Sequence, residues 1–155
     1  MFLKEKRCGT IKGRGCANGK PQRLYISKDD ATSPTVTIEA IFLSLMIDAK
    51  ERRHVAVIDI PGAFMQADTD EDLLVKIHGK MAELLISIDP KFYEPCKCIE
   101  RGKVTLYLQL NKALYGTLRA ALLFWKDLTA TLTAMGFVIN AYDNCVANKI
   151  INGSQ

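Results

Sequence analysis

The chain has 155 residues, 48% apolar and 25% charged, which is enough for one ordinary domain with its own core and excludes a disordered or collagen-like chain. The longest apolar run, AIFLSLMI, is too short to span a bilayer, no basic-then-apolar leader with a cleavage site opens the sequence, and five cysteines at irregular spacing fit a reducing compartment; the expected location is intracellular and cytoplasmic, with no membrane partner. The net charge of +4 divides unevenly, since residues 1–28 carry eight lysines and arginines against one acid (+7) and the remainder thirteen against sixteen (−3), so the basic arm reads either as a contact for a polyanion or as a solvated terminus.

Residues 8–21, CGTIKGRGCANGKP, read as Gly-rich loop or tight-turn material. QRLYISK (22–28) alternates as a strand does. Ser33-Pro34 has the form of an N-cap followed by proline at the first helical position, and Ile38, Ile41, Phe42, Leu45 and Ala49 recur at helical spacing, predicting an amphipathic helix over 34–51. A strand is expected over 53–60, apolar on both faces for most of its length as a central strand would be. DLLVKI (72–77) predicts a strand and KMAELLISI (80–88) a short helix. KVTLYLQL (103–110) alternates cleanly and predicts a strand. Leu118, Leu122, Trp125, Leu128, Leu132 and Met135 form one stripe of a helix over about 118–135, with Gly136 where a C-terminal cap belongs. FVI and CVANKII look like a closing pair of strands. Strands and helices mix without strict alternation, so the expected class is α+β.

Most of the candidate chemistry has a plainer counterpart. GRGCANG (13–19) is one residue too long for a dinucleotide-binding loop and lacks the flanking strand and helix that motif needs, although Lys12 and Arg14 could reach phosphates. The acidic run DTDED (68–72) lacks calcium-loop spacing and reads as a solvated turn. Cys96-x-Cys98 has no second pair to complete a zinc set, and His54 and His78 have no nucleophile beside them in sequence. Asp59 is the exception. A carboxylate on an apolar strand is costly to bury unless it is paired or binds a cation. Pro61-Gly62 breaks the strand immediately after it, which sets Asp59 at a cleft mouth. A salt bridge or turn cap and a ligand for phosphoryl-transfer metals are both open at that position.

The segment VIDIPGAFMQADTDEDLLVKI (57–77) resembles the first catalytic motif of copia-type retrotransposon reverse transcriptases, and LNKALYGTLRAALLFW (110–125) resembles their second signature. MGFVINAYDNCVANK (135–149) is similar to the Gly-Phe…Asp segment that follows. Weaker likenesses lie upstream, in IKGRGCANG and in ATSPTVTIEAIFLSLMIDAK. The resemblance implies a partial fingers-and-palm fold, with 1–52 a fingers-like basic segment and helix and 53–155 a partial palm, an antiparallel sheet with packed helices. It implies that Asp59 is the first metal-binding aspartate, assisted by the backbone carbonyl of Ile60. Phe64 matches the aromatic gate beneath the sugar of the incoming nucleotide. Tyr115 and Gly116 lie at the nucleotide pocket, and Lys12 and Arg14 are candidates for the triphosphate.

In the family the implied reaction is RNA-directed DNA synthesis with Mg2+: a primer 3′-hydroxyl attacks the α-phosphate of a deoxynucleotide. The implied partners are an RNA or DNA template-primer, deoxynucleoside triphosphates and the remainder of the polyprotein, in a virus-like particle. Two departures stand out. Thr117-Leu118-Arg119-Ala120-Ala121 replaces the usual Leu-Lys-Gln-Ala-Pro, and the Tyr-x-Asp-Asp hairpin is absent. Two divalent ions about 4 Å apart repel by roughly 17 kcal/mol at an effective dielectric of about 20, which one carboxylate does not offset. The expectation is therefore a fragment that is inactive alone. Asp68, Asp70 and Asp143 are the places to look for a second acid. A non-catalytic nucleic-acid-binding remnant that uses the basic arm is the alternative.

Overall fold

The computed structural model describes residues 2–151; residue 1 and residues 152–155 of the two expected segments lie outside them. The architecture is a mixed α+β one with antiparallel sheets. In chain order it comprises β1 (Phe2–Glu5), β2 (Ile11–Arg14), α1 (Lys28–Ala31), α2 (Ile38–Glu51), β3 (Leu74–His78), α3 (Lys80–Ile88), α4 (Pro90–Tyr93), β4 (Lys97–Glu100), β5 (Lys103–Gln109), α5 (Ala120–Ala134), β6 (Val138–Ile139) and β7 (Ala147–Asn148), with short 3-10 turns at Lys20–Leu24, Ala63–Gln66 and Glu94–Cys96.

The central sheet has the order β3-β5-β4, antiparallel throughout. Its register pairs Ile77 with Leu106 on one side of β5 and Cys98 with Thr105 on the other. The β4–β5 hairpin closes through Arg101 and Gly102, both at positive φ (48° and 72°), the primed two-residue turn whose twist suits a hairpin. Gly79, at φ 65°, turns β3 into α3, and its N–H donates to the carbonyl of Val104. α3 thereby lies on the sheet, and Leu106 and Ala82 are sealed at 0% exposure. On the outer face Glu100 accepts from both Lys76 and Tyr107, joining all three strands.

A second cluster of small buried residues, Ala67, Ala113 and Ala120 with Leu122, lets the turn after Ala63–Gln66 lie close to the start of α5. Here the chain is zipped: Ala113 N–H donates to Ala67 O (3.0 Å) and Thr69 N–H to Asn111 O (3.1 Å). α5 ends in a Schellman cap, with Phe137 N–H on Leu132 O and Gly136 N–H on Thr133 O, and with Gly136 at φ 85° as its position requires. β6 and β7 pair antiparallel as the sequence predicts.

Several expectations need correction. The strand expected over 53–60 does not form; every residue there is exposed and lies outside any helix or strand, with Val57 at 96%. A strand is held by a hydrogen-bonded neighbour, and no described segment pairs with this one. QRLYISK is not a strand either. Pro21 at the start of a 3-10 turn coils Lys20–Leu24, and Ser27 then caps α1. α2 begins at Ile38 rather than Pro34, because the β-branched run Thr35-Val36-Thr37 resists the helix and Thr37 supplies the cap, its hydroxyl accepting from Ala40 N–H at 3.2 Å. No residue of α2 is buried, so its apolar stripe does not enter the core. Part of the Gly-rich stretch forms a hairpin, β2 pairing with β1 through a turn in which Gly9 sits at φ 78°. β4 and α4 had no expected counterpart.

Asp143 ties the loop between β6 and β7 to the start of α2. Its carboxylate accepts from Thr37 N–H (2.8 Å), Thr37 Oγ1–H (2.9 Å) and Cys145 N–H (2.8 Å). The Thr37 and then the Cys145 backbone donors hold its carboxyl below the ordinary aspartate value of 3.8. A group depressed in the folded state contributes stability above its unfolded pKa and loses it as pH falls through the folded value. The melting temperature of the wild type should therefore exceed that of Asp143→Asn by a constant margin above pH 5, a margin that shrinks as pH drops below the ordinary aspartate range. A margin independent of pH from 6 to 2 would sink this assignment.

Candidate functional site

The Pro61-Gly62 break does more than end the preceding segment. Gly62, at φ 63° and ψ 32°, starts the 3-10 turn Ala63–Gln66, closed by Met65 N–H on Gly62 O at 2.8 Å. The left-handed conformation there suits glycine. The turn aims Phe64 at residues far along the chain: its ring lies 4.5 Å from that of Tyr115, tilted by 36°, and 6.2 Å from that of Phe124 on α5. These are within the usual range for aromatic pairs. Phe64 and Tyr115, named separately from two motifs, thus meet as one platform. Tyr115 stays partly exposed, at 36%.

Gly116 follows at φ 91°, and its neighbours are backbone atoms. A Cβ there would overlap the carbonyl of Ala17, and a Cβ at Gly19 would overlap the carbonyl of Gly116. Ala17 N–H donates to Tyr115 O at 2.7 Å. The segment after β2 is therefore seated against the second motif. Lys12 and Arg14 stand on β2, both exposed; Lys12 faces Lys4 across the hairpin. Asp59 and the Ile60 carbonyl lie on the irregular segment before Pro61. Asp59 is exposed and makes no side-chain hydrogen bond or ion pair among the described residues.

Sequence reasoning missed two residues that hold the site. Gln22 is 6% exposed, and its Oε1 accepts from Leu118 N–H at 2.9 Å. Its partner is 96 residues away, and a glutamine inside an alternating run gives no local sign of that. Arg119 donates from one terminal nitrogen to Glu71 Oε1 (2.7 Å), with the other terminal nitrogen 2.6 Å from Asp70 Oδ2. The Glu71 hydrogen bond, more than any other interaction, raises its already high pKa. The acidic run 68–72 is a solvated turn, as expected, with Asp68, Asp70 and Asp72 exposed, and it is also pinned: Asp68 pairs with Lys112 (2.6 Å) and Asp72 accepts from Gln109 Nε2 (3.0 Å).

Asp68 and Asp70 are engaged by Lys112 and Arg119, and Asp143 by Thr37. Among the described residues no three His, Cys, Asp or Glu side chains gather where they could hold an ion. The residues present do not make a two-magnesium site around Asp59.

The double ion pair of Arg119 is largely sheltered, with 21% of its side chain exposed. Arg119→Ala leaves two carboxylates without their cation and should lower the unfolding free energy by about 1–3 kcal/mol. Arg119→Lys, which lacks the planar fork, should recover less than half of that. Urea unfolding of the three proteins is the measurement; equal midpoints would refute the role.

No helix among the described residues is long and apolar enough to cross a membrane. Neither the curated proteins nor the solved structures contain a match to this sequence. Residues 3–150 match the family described as Reverse transcriptase (RNA-dependent DNA polymerase). That match spans both motifs, the aromatic platform and the seat beneath it, and the chain belongs to the reverse transcriptase family.

Proposed function

We propose that this chain is a reverse transcriptase domain of the copia type, with a platform for an incoming deoxynucleotide formed by Phe64 and Tyr115. The observation that carries the reading is the tilted contact of those two rings, 4.5 Å between centroids, because it joins the residue that the family resemblance puts beneath the sugar to the one that it puts at the nucleotide pocket. Residues 1–52 act as fingers and 53–155 as palm. Asp59 is the first metal-binding aspartate, with the Ile60 carbonyl beside it, and Gly116 keeps the backbone next to Tyr115 free of a side chain. Lys12 and Arg14 present positive charge for a triphosphate. The working partners are template-primer, deoxynucleoside triphosphates and the rest of the polyprotein, in a virus-like particle.

Because the donors around Asp59 do not suffice for a magnesium pair, this chain alone does not complete nucleotidyl transfer. Its own residues bind and orient. On a homopolymer template with magnesium or manganese, the purified chain should incorporate no more nucleotide than Asp59→Ala, and the two should melt at the same temperature, since Asp59 is exposed and unpartnered. Incorporation by the unmodified chain would refute the inactivity. Incorporation that survives Asp59→Ala would refute the site.

The second reading, a non-catalytic nucleic-acid-binding arm, is favoured by one observation. Lys4 and Lys12 are direct cross-strand partners, and like charges in that position destabilise a hairpin. A polyanion relieves that repulsion. This reading expects sequence-blind binding of single-stranded DNA that falls steeply with salt, with a log–log slope reduced by roughly 1–2 in Lys4→Glu/Lys12→Glu and unchanged in Asp59→Ala. A slope unaffected by the double reversal would sink it.

A further inference from the structure

We infer that residues 15–22 form a strap whose seating against the second motif positions Tyr115 under Phe64 and thereby sets discrimination between deoxy- and ribonucleotides, with Gln22 and Gly19 as positioning residues. The inference rests on the nucleotide platform proposed above. Three independent contacts carry it. Ala17 N–H donates to the carbonyl of Tyr115 itself, at 2.7 Å. Gly19 and Gly116 approach so closely that a Cβ on either would strike backbone of the other's segment. Beyond the joint, buried Gln22 caps Leu118 N–H. The backbone of residues 115–118 is therefore bracketed from 17 to 22, and the ring of Tyr115 has its Cα held while its face meets Phe64.

A ring that must sit within a fraction of an ångström of a sugar is sensitive to such seating, because small displacements of a positioned group cost large factors. The strap continues directly from β2, which carries Lys12 and Arg14. Charge neutralisation on the hairpin and ring placement at the platform are thus mechanically joined.

Gly19 makes a clean test. Its φ is −73°, which alanine adopts without strain, so Gly19→Ala perturbs only the seat. Gly15 has open space around it, and Gly15→Ala is the matched control. Gln22→Ala removes the acceptor without adding bulk and decides the matter if Gly19→Ala fails to fold. Gln22→Glu keeps an acceptor oxygen. In the full chain, nuclear Overhauser contacts between the Phe64 and Tyr115 rings should be present in the wild type, Gly15→Ala and Gln22→Glu, and lost in Gly19→Ala and Gln22→Ala. The ratio of dATP to ATP affinity, measured by calorimetry, should fall about tenfold in the latter pair. Ring contacts that persist in folded Gly19→Ala and Gln22→Ala overturn the positioning. Equal weakening of dATP and ATP with the rings still stacked overturns the discrimination and leaves only a structural joint. If the wild type binds neither nucleotide, the proposed platform falls and takes the discrimination with it, while the ring contacts still decide whether the strap positions Tyr115.

Discussion

The guanidinium of Arg119 is the fixed point of this molecule. It stands just before α5 and reaches back across the sequence to Asp70 and Glu71. That pairing holds the acidic turn against residues 109–113, so that Ala113 N–H donates to the Ala67 carbonyl and both residues bury their small side chains. With the turn fixed, the 3-10 coil Ala63–Gln66 lies over α5, and Phe64 reaches both Phe124 and Tyr115. Net gain from a sheltered ion pair is modest, but loss of one partner is expensive. The arrangement therefore acts more as a constraint on geometry than as a reservoir of stability. It also engages Asp70, one of the acids that sequence alone leaves open for a metal.

The contrast lies a few residues upstream. Residues 53–60 carry valines and isoleucines that prefer a sheet, yet they lie exposed with no strand beside them. A side chain in such a segment has no rigid frame, and a metal ligand gains its strength from being held in place. Asp59 is a carboxylate without such a frame, whereas Phe64, five residues on, lies against two other rings, those of Tyr115 and Phe124. The two halves of the first motif thus differ in order, and the division falls at Pro61-Gly62.

Elements with a local cause were legible. The helix over 80–88 has the bounds its sequence predicts, β5 shows in strict alternation, and Gly136 marks the Schellman cap it forms. The α+β class followed from these. Expectations failed where the deciding partner was distant. The strand over 53–60 needed a neighbour that periodicity does not supply, and the start of α2 was set by Thr37, whose hydroxyl and N–H are also engaged by a residue 106 positions away. β4 was hidden because its own pattern is weak; the signal lay in the Arg101-Gly102 turn beside a strong strand. Phe64, Tyr115 and Gly116 were visible through their motifs. Gln22 and the partners of Arg119 were not, since a buried glutamine and a paired acid look in sequence like any surface polar residue.

The tie between Asp143 and Thr37 has a geometric corollary. α2 has 14 residues, a rod of about 21 Å, and it is clasped at its first turn while its sides stay open to water. Its far end leads directly into the segment that carries Asp59. The clasp between Thr37 and Asp143 therefore anchors one end of a rod whose length sets how far from that anchor the Asp59 segment begins.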